Sequence, residues 1–368
     1  MAERANITVL HYTGAQNDRG GIMSVVHALA GADQFACVLG VSPGFVAQRQ
    51  PSLPTLELPR IAAETIGPAS WWRGRDVARA VRAWLAADRR RMFHAHSRAG
   101  LLAALHLNAA GERRFVVSVH CYGRQRWYYR HAARKLGAHL FWLSPAMKQY
   151  YGFKDGVGWA RCVPSCIPMT DAIAPRPLRT RDGIVRLGGA GMLVAWKGWH
   201  LVLDALKELP ASVREKIRFT HIGSAVDSAE SRRYAAELRA RTKALGFDAI
   251  VEWRGEEESS AALLAEIDAL IVPSRAEPFS IAMLEALRAG VPVLASRAGG
   301  PADVLSPPRN GWWFEPDDSS DLARALTALV ETDALARAEI TRDDLEPFSA
   351  AKVAQQWATI YAQVLGSG

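Results

Sequence analysis

Short apolar runs that stop at turn signals recur along most of this chain. The clearest is Ala269-Leu270-Ile271-Val272, halted by Pro273-Ser274. A continuous apolar run closed by a turn reads as a strand of a parallel sheet, buried on both faces. Runs of this kind cover 7–12, 35–41, 92–96, 115–120 and 139–143 in the first half, and 217–222 and 291–296 in the second. Segments with helical spacing alternate with them. Residues 23–30 and 199–209 have it, and so does the stretch after Ser280, with Ile281, Leu284, Ala286 and Leu287 up to Gly290. Another is 321–329, and 348–365 carries Val353, Trp357, Ile360, Tyr361 and Val364 on one face. Strands alternating with helices predict an α/β fold of doubly wound sheets. At 368 residues the chain is long for one core and suits two domains. Prolines and glycines between 163 and 183 mark the division, which predicts domains at 1–175 and 176–347 and a last helix over 348–368.

Charge changes the picture. Residues 1–175 hold 22 Lys and Arg against 10 Asp and Glu, a net +12, whereas the rest hold 23 against 27, a net −4. A basic first half predicts an anionic partner there. Two patches carry the excess. Residues 70–92 combine Trp71, Trp72 and Trp84 with Arg73, Arg75, Arg79, Arg82 and Arg89 to Arg91, and 124–130 interleaves Arg124, Arg126 and Arg130 with Trp127, Tyr128 and Tyr129. Either is a solvated face or a surface for an anionic membrane or lipid phosphate. Nucleic acid is not expected, because no recognised binding motif accompanies the charges. The first residues lead straight into an apolar strand without a secretory pattern, and no window is long enough to span a bilayer. A cytoplasmic protein, peripheral at the inner face of the cell membrane, is the expectation.

The chemistry concentrates after the 269–272 run. Ser280 is placed to cap the helix that follows, and the amides of Phe279 to Ala282 then face outward at its start. Beyond the carboxyl end of a parallel strand that arrangement suits a phosphate. Glu277 in the loop and Glu285 on the helix would look to either side of it, toward hydroxyl groups such as those of a sugar and a ribose. Gly20-Gly21 before a helix let backbone approach a ligand closely. His94 and His96 share one face of a strand end, and a hydrogen-bonded structural pair is favoured over zinc, which lacks further ligands in the sequence. Cys162 and Cys166 lie four apart without a partner pair and are expected as buried free thiols.

Taken together, Glu277-Pro-Phe-Ser280, Glu285-Ala-Leu287, Ala289-Gly290-Val-Pro-Val293, Gly299-Gly300 and Asn310-Gly311 resemble the signature of retaining glycosyltransferases of family 4. The resemblance is strong over about 184–330 and looser before 175. It implies the GT-B architecture, two Rossmann-like domains facing a central cleft, with the last helix crossing back onto the first domain. It implies a nucleotide-sugar donor, UDP- or GDP-linked, and a glycan or lipid-phosphate-linked acceptor. By resemblance Lys197 neutralises the donor diphosphate with the amides of Ser280 and Ile281, and Glu277 holds the transferred sugar. Glu285 holds the ribose, and His120 lies on the other side of the sugar. Gly20, Gly21 and Phe279 belong to the donor site, as does Arg254 near the base. No metal or other cofactor is implied, and alanine at Glu277 is expected to abolish most turnover with the fold intact. Two departures stand out. Met192 occupies the place of a usual arginine, for which Arg275 is the candidate substitute, and Val163-Pro-Ser-Cys-Ile-Pro168 replaces the usual Pro-Asn-Gly-Ile-Asp segment. They motivate the alternative of a non-catalytic nucleotide-sugar-binding or assembly subunit.

Overall fold

The structure, a computed structural model, describes residues 7–61, 67–123, 125–154, 158, 160–169, 173 and 182–366. The chain divides into two compact units. One comprises residues 1–169 with 347–368, the other 170–346. Most of the linker expected around 175–183 lies outside the described residues.

The first unit is a seven-stranded parallel sheet built from β1 (Thr8–Tyr12), β2 (Ala36–Val41), β3 (Thr55–Glu57), β4 (Arg91–Ala95), β5 (Phe115–Val119), β6 (Leu140–Trp142) and β7 (Arg161–Cys162). Their order is β3-β2-β1-β4-β5-β6-β7. The apolar runs of the sequence became its central strands. The two edge strands, of three and two residues, carry too little apolar pattern to be read from sequence. Helices Pro68–Ala86 and Arg126–Leu136 each pack against helix Arg98–Ala109. The terminal helix Ala350–Gly366 belongs to this same unit. Its entry is pinned by paired bonds, Ile167 N–H to Phe348 O (3.1 Å) and Ala350 N–H to Ile167 O (2.8 Å). Its Trp357 packs on Phe141 and His94, and its Tyr361 on Phe35. That aromatic burial fastens the end of the chain to the sheet it began with.

The second unit is a six-stranded parallel sheet of β8 (Val185–Ala190), β9 (Ile217–Ile222), β10 (Val251–Gly255), β11 (Ala269–Val272), β12 (Val293–Ser296) and β13 (Gly311–Phe314), ordered β10-β9-β8-β11-β12-β13. Its core is apolar, from Trp199, Leu203 and Phe219 to Phe314, Leu322 and Leu326. Both sheets reverse direction beside their first strand, between β1 and β4 in one and between β8 and β11 in the other. Ligands of such sheets bind beyond the carboxyl ends of strands at this reversal.

The cysteines are all free. Cys37 and Cys166 are buried, whereas Cys162 is only half-buried and Cys121 exposed, which corrects the expectation of a buried 162/166 pair. Among the described residues no helix is long and apolar enough to cross a membrane.

Candidate functional site

The reversal point of the second sheet assembles what the sequence scattered. Lys197 follows β8 and Glu277 follows β11, the neighbouring strand. Lys197 Nζ donates to Glu277 Oε2 at 2.6 Å, across 80 residues of chain. The same oxygen accepts from Ser274 Oγ at 2.8 Å, and Oε1 accepts from the Ser280 amide at 3.2 Å. The Glu277 side chain is 5% exposed and that of Lys197 14%. A buried carboxylate is tolerable only when paired and hydrogen-bonded, and three donors meet that condition here. Lys197 Nζ also lies 4.7 Å from the centre of the Trp196 ring, a cation–π contact that orients the ammonium further.

Backbone geometry holds the pair. Gly198 has φ +75°, and a Cβ there would lie 2.0 Å from the carbonyl oxygen of Pro273, so the loops after β8 and β11 touch through a glycine. Arg275 N–H to Trp196 O (2.9 Å) ties the same two loops. A Cβ on Gly300 would meet Pro278 O at 2.5 Å, and the Gly300 amide donates to Glu277 O at 2.8 Å. The loop after β12 is thereby locked under the Glu277 turn. Ser280 itself sits at φ +55°, rare for a residue with a side chain. Its hydroxyl caps helix Ile281–Arg288 by accepting from the Met283 amide at 3.3 Å. Local strain of about 1–3 kcal/mol persists where surrounding contacts over-determine it, and here the Glu277 carboxylate supplies one such contact.

Not every sequence candidate joins this cluster. Phe279 is buried under the loop. Glu285 lies on the following helix and accepts from Ser260 Oγ at 2.7 Å. Arg254 lies on the edge strand β10, a strand rather than a free loop, with its guanidinium between Glu252 (2.9 Å) and Glu266 (2.8 Å). Arg275 turns outward to Asp317 at 2.7 Å, so its charge is balanced at the surface. Met192 is exposed, and its carbonyl accepts from Trp199 Nε1 at 3.0 Å. The amide of Ser280, expected on a phosphate, is directed at Glu277 instead. Ser274 and Trp196 escaped the sequence reading. The signal for Ser274 was its place directly after Pro273 at a strand end.

The other candidates belong to the first unit. Gly20, at φ +87°, precedes helix Gly21–Gly31, whose first residue is Gly21. His120 follows β5, half-buried. It lines a small cavity with His96, Arg98, Cys121 and Tyr129. Burial pushes its imidazole down to about 4, so the ring is neutral at physiological pH. The expected His94–His96 pair is a larger array. His96 bonds both His120, at 3.1 Å, and His11, at 2.9 Å. His94 instead bonds the Tyr361 and Ser118 hydroxyls, at 2.6 and 2.8 Å. His11 was not legible because its contact depends on the β1–β4 register, which sets it opposite His94.

Two parallel sheets of this strand order, with chemistry gathered at the reversal of each, define the GT-B fold. Residues 186–343 match the family model described as Glycosyl transferases group 1. In structure the chain is similar to HepE of Anabaena, solved with UDP and glucose, at TM-score 0.77 and 18% identity over 97% of this chain and 100% of that one. It is similar too to sucrose-phosphate synthase of Thermosynechococcus elongatus, at TM-score 0.75 and 17% identity over 99% and 100%. In sequence it is 32% identical over 126 residues to the N-acetyl-alpha-D-glucosaminyl L-malate synthase of Bacillus anthracis, covering 33% of each chain. It is 25% identical over 265 residues to the MMP alpha-(1->4)-mannosyltransferase of Mycolicibacterium hassiacum. These two alignments span 33% and 62% of the relatives' own lengths.

Proposed function

We propose that this protein is a retaining glycosyltransferase of family 4 that moves a sugar from a UDP- or GDP-sugar to a glycan or lipid-linked acceptor in surface polysaccharide or glycolipid synthesis. The observation that carries the reading is the buried Lys197–Glu277 pair at the β8–β11 reversal. Lys197 supplies positive charge to the departing diphosphate, and the amides at the start of helix Ile281–Arg288 add to it. Glu277, held by Ser274 and the Ser280 amide, presents its carboxylate to sugar hydroxyls, Glu285 serves the ribose, and His120 attends the other side of the sugar. Attack comes from the face the diphosphate leaves. A donor phosphate oxygen takes the acceptor's proton, so no second carboxylate nucleophile is required, unlike the paired acids of glycosidases. The proposed steps use Lys197 and backbone amides for charge and assign nothing to a metal. The names of the similar proteins, a mannosyltransferase and a protein crystallised with UDP and glucose, support a nucleotide-sugar donor.

Incubation with a panel of nucleotide sugars and lipid or glycan extracts tests this reading through nucleoside diphosphate release. Release from one donor, lost in Glu277→Gln, is the expected result. Binding of a nucleotide sugar with no release under any acceptor would favour the alternative, a non-catalytic nucleotide-sugar-binding or assembly subunit, which the exposed Met192 supports.

The acceptor side of the proposal places the first unit against anionic membrane. Trp72 and Trp127 are 58% and 66% exposed, with Arg75 stacked on the Trp72 ring at 4.8 Å. Arg124 lies outside the described residues. Arg130 donates to Tyr151 O at 2.7 Å and Arg126 stacks on Tyr150, so both also serve the fold. Each basic group near such a surface contributes about 1 kcal/mol, decaying over roughly 8 Å. Sedimentation with anionic liposomes should be strong at low salt, weaken with salt, and drop in Trp72→Ser/Trp127→Ser. Wild type that ignores such liposomes at every salt concentration would leave a soluble acceptor as the better reading.

A further inference from the structure

Three imidazoles of the first unit, those of His11, His96 and His120, form a hydrogen-bonded chain, of which the proposed function uses only His120. It begins at Cys37 on β2, whose Sγ lies 3.5 Å from His11 Nε2. It continues from His11 Nδ1 to His96 Nε2 at 2.9 Å, and from His96 Nδ1 to His120 Nε2 at 3.1 Å. His94 stacks on His96 with ring centres 3.9 Å apart, but both of its nitrogens are taken by Tyr361 and Ser118, so it stands outside the chain. His11 and His96 are buried. His120 Nδ1 makes no hydrogen bond among the described residues, and its ring borders the cavity shared with Arg98, Cys121 and Tyr129.

A neutral imidazole carries one donor and one acceptor. Links made ring nitrogen to ring nitrogen must therefore all point the same way, and the end at Cys37 decides which way. Burial holds the rings neutral, with His11 lowered to about 3 and His96 well below its ordinary value, and raises the Cys37 thiol to about 12. Cys37 is thus an S–H group, able to donate and only a weak acceptor. When it donates to His11 Nε2, His11 holds its proton on Nδ1 and donates to His96 Nε2. His96 then donates from Nδ1 to His120 Nε2. His120, accepting at Nε2, holds its own proton on Nδ1. The opposite order would end in an N–H donated to a thiol sulfur and would leave the buried S–H to find another acceptor.

We infer that this relay fixes the tautomer of His120, so that His120 meets its ligand as a hydrogen-bond donor through Nδ1, with Cys37, His11 and His96 as positioning residues. The ligand it selects at this point is an acceptor oxygen. That this oxygen is a hydroxyl of the transferred sugar rests on the proposed function; the tautomer does not. The competing use of these side chains is a metal. Ligand atoms of His11, His94 and His96 lie within 4.8 Å of one another. A tetrahedral zinc with bonds of about 2.0–2.1 Å would hold its nitrogens at roughly 3.3 Å and face them all to one point. Here His11 and His96 instead bond each other, and His94 is satisfied by two hydroxyls.

Long-range ¹⁵N–¹H correlation spectra of the full chain labelled with ¹⁵N-histidine at pH 7.5 test the inference, with His120 assigned by its loss in His120→Asn. The expected result is a neutral His120 with the proton on Nδ1, in excess over the Nε2–H form on the order of tenfold, the ratio one net buried hydrogen bond sustains. Cys37→Ser keeps a donor and should keep this tautomer, whereas Cys37→Ala and His96→Phe should bring the two forms toward parity. An Nε2–H His120 in the wild type, or a tautomer unmoved by Cys37→Ala, overturns the relay. So does one equivalent of zinc by elemental analysis that is lost in a His96 variant. Nucleoside diphosphate release separates the two readings. The expected tautomer without release from any donor leaves the relay standing and removes the transferase, and release with an Nε2–H His120 does the reverse.

Discussion

Replacing Glu277 by glutamine keeps the shape of the side chain and removes its charge, which makes it the sharper probe of the second unit. In the native protein one carboxylate oxygen accepts from Lys197 and Ser274 and the other from the Ser280 amide. A glutamine can offer only one oxygen. If that oxygen stays with Lys197, its NH₂ confronts the Ser280 amide; if it turns to Ser280, the NH₂ confronts the ammonium. Losing one charge-assisted bond costs about 1.5–3 kcal/mol, and stranding one partner of a buried pair about 3–5 kcal/mol. Lys197 is 14% exposed and can turn partly toward water, so the lower range applies, about 2–3 kcal/mol. Alanine at the same position removes all three acceptor contacts and belongs at the upper end, against the sequence expectation of an undisturbed fold. Urea denaturation followed through the second unit should show Glu277→Gln unfolding at lower denaturant with an unchanged slope. Lys197→Met in the same chain should return part of that stability, because no orphaned charge remains, and none of the turnover. A glutamine variant as stable as wild type would refute the ion-pair reasoning. Near-normal turnover by it would remove Glu277 from the chemistry.

Acid should unfold the first unit before the second. His11 and His120 are lowered to about 3 and 4 by burial, and His94 and His96 well below their ordinary value, while the second unit has one comparable ring, His221, lowered to about 3. A lowered imidazole costs nothing above about pH 6.5; below it the unfolded chain takes up protons that the folded one refuses, and stability falls until the folded value is reached. His11, His120 and His221 each cost roughly 2 kcal/mol at pH 5, and His94 and His96 act in the same direction, so calorimetry between pH 7 and 5 should show the first unit's transition moving down further, and a transition that rises on acidification would contradict neutral rings. Gly198→Ala should destabilise the second unit and lower donor turnover together, because its Cβ meets the Pro273 carbonyl at 2.0 Å and the φ of +75° suits glycine. Unchanged melting in that variant would mean the loops do not touch as described.

The central strands were legible because each is an apolar run long enough to be buried on both faces. Thr55–Glu57 and Arg161–Cys162 were not, since an edge strand of two or three residues has little to bury. Within the site, Glu277 and Ser280 were legible as a local turn-and-cap pattern. The contact from Lys197 to Glu277 was implied only by adjacency of two strands that lie far apart in sequence. For the two arginines expected at the donor, the sequence could not tell two surroundings apart. A cation next to a predicted pocket has the same sequence signature whether it faces the pocket or an acid, and Arg254 and Arg275 face Glu252, Glu266 and Asp317. Two members of the imidazole chain, His96 and His120, were visible at strand ends. Its other members, His11 and Cys37, appear only when β2, β1 and β4 are laid side by side.

Under the proposed function, those pairings change how the donor charge is met. Arg275 was the candidate to replace the arginine missing at Met192, and its guanidinium is balanced by Asp317. Lys197 remains, with its ammonium on Glu277. An unliganded site built this way is close to neutral, so net charge attracts a diphosphate only weakly, and attraction depends on how Lys197 divides its bonds. An ammonium has three donors, and one suffices for the 2.6 Å contact to Glu277, which leaves others for an anion on the opposite side. The carboxylate then serves two purposes that need not conflict. It holds the lysine in place in this structure, and under the proposed function its remaining acceptor capacity would serve sugar hydroxyls once a donor is bound. The side chain at 192 is exposed and only its carbonyl supports the fold, through Trp199. The arginine's absence therefore removes no fold contact seen at this position, and under the proposed function its consequence falls on how tightly the diphosphate is held.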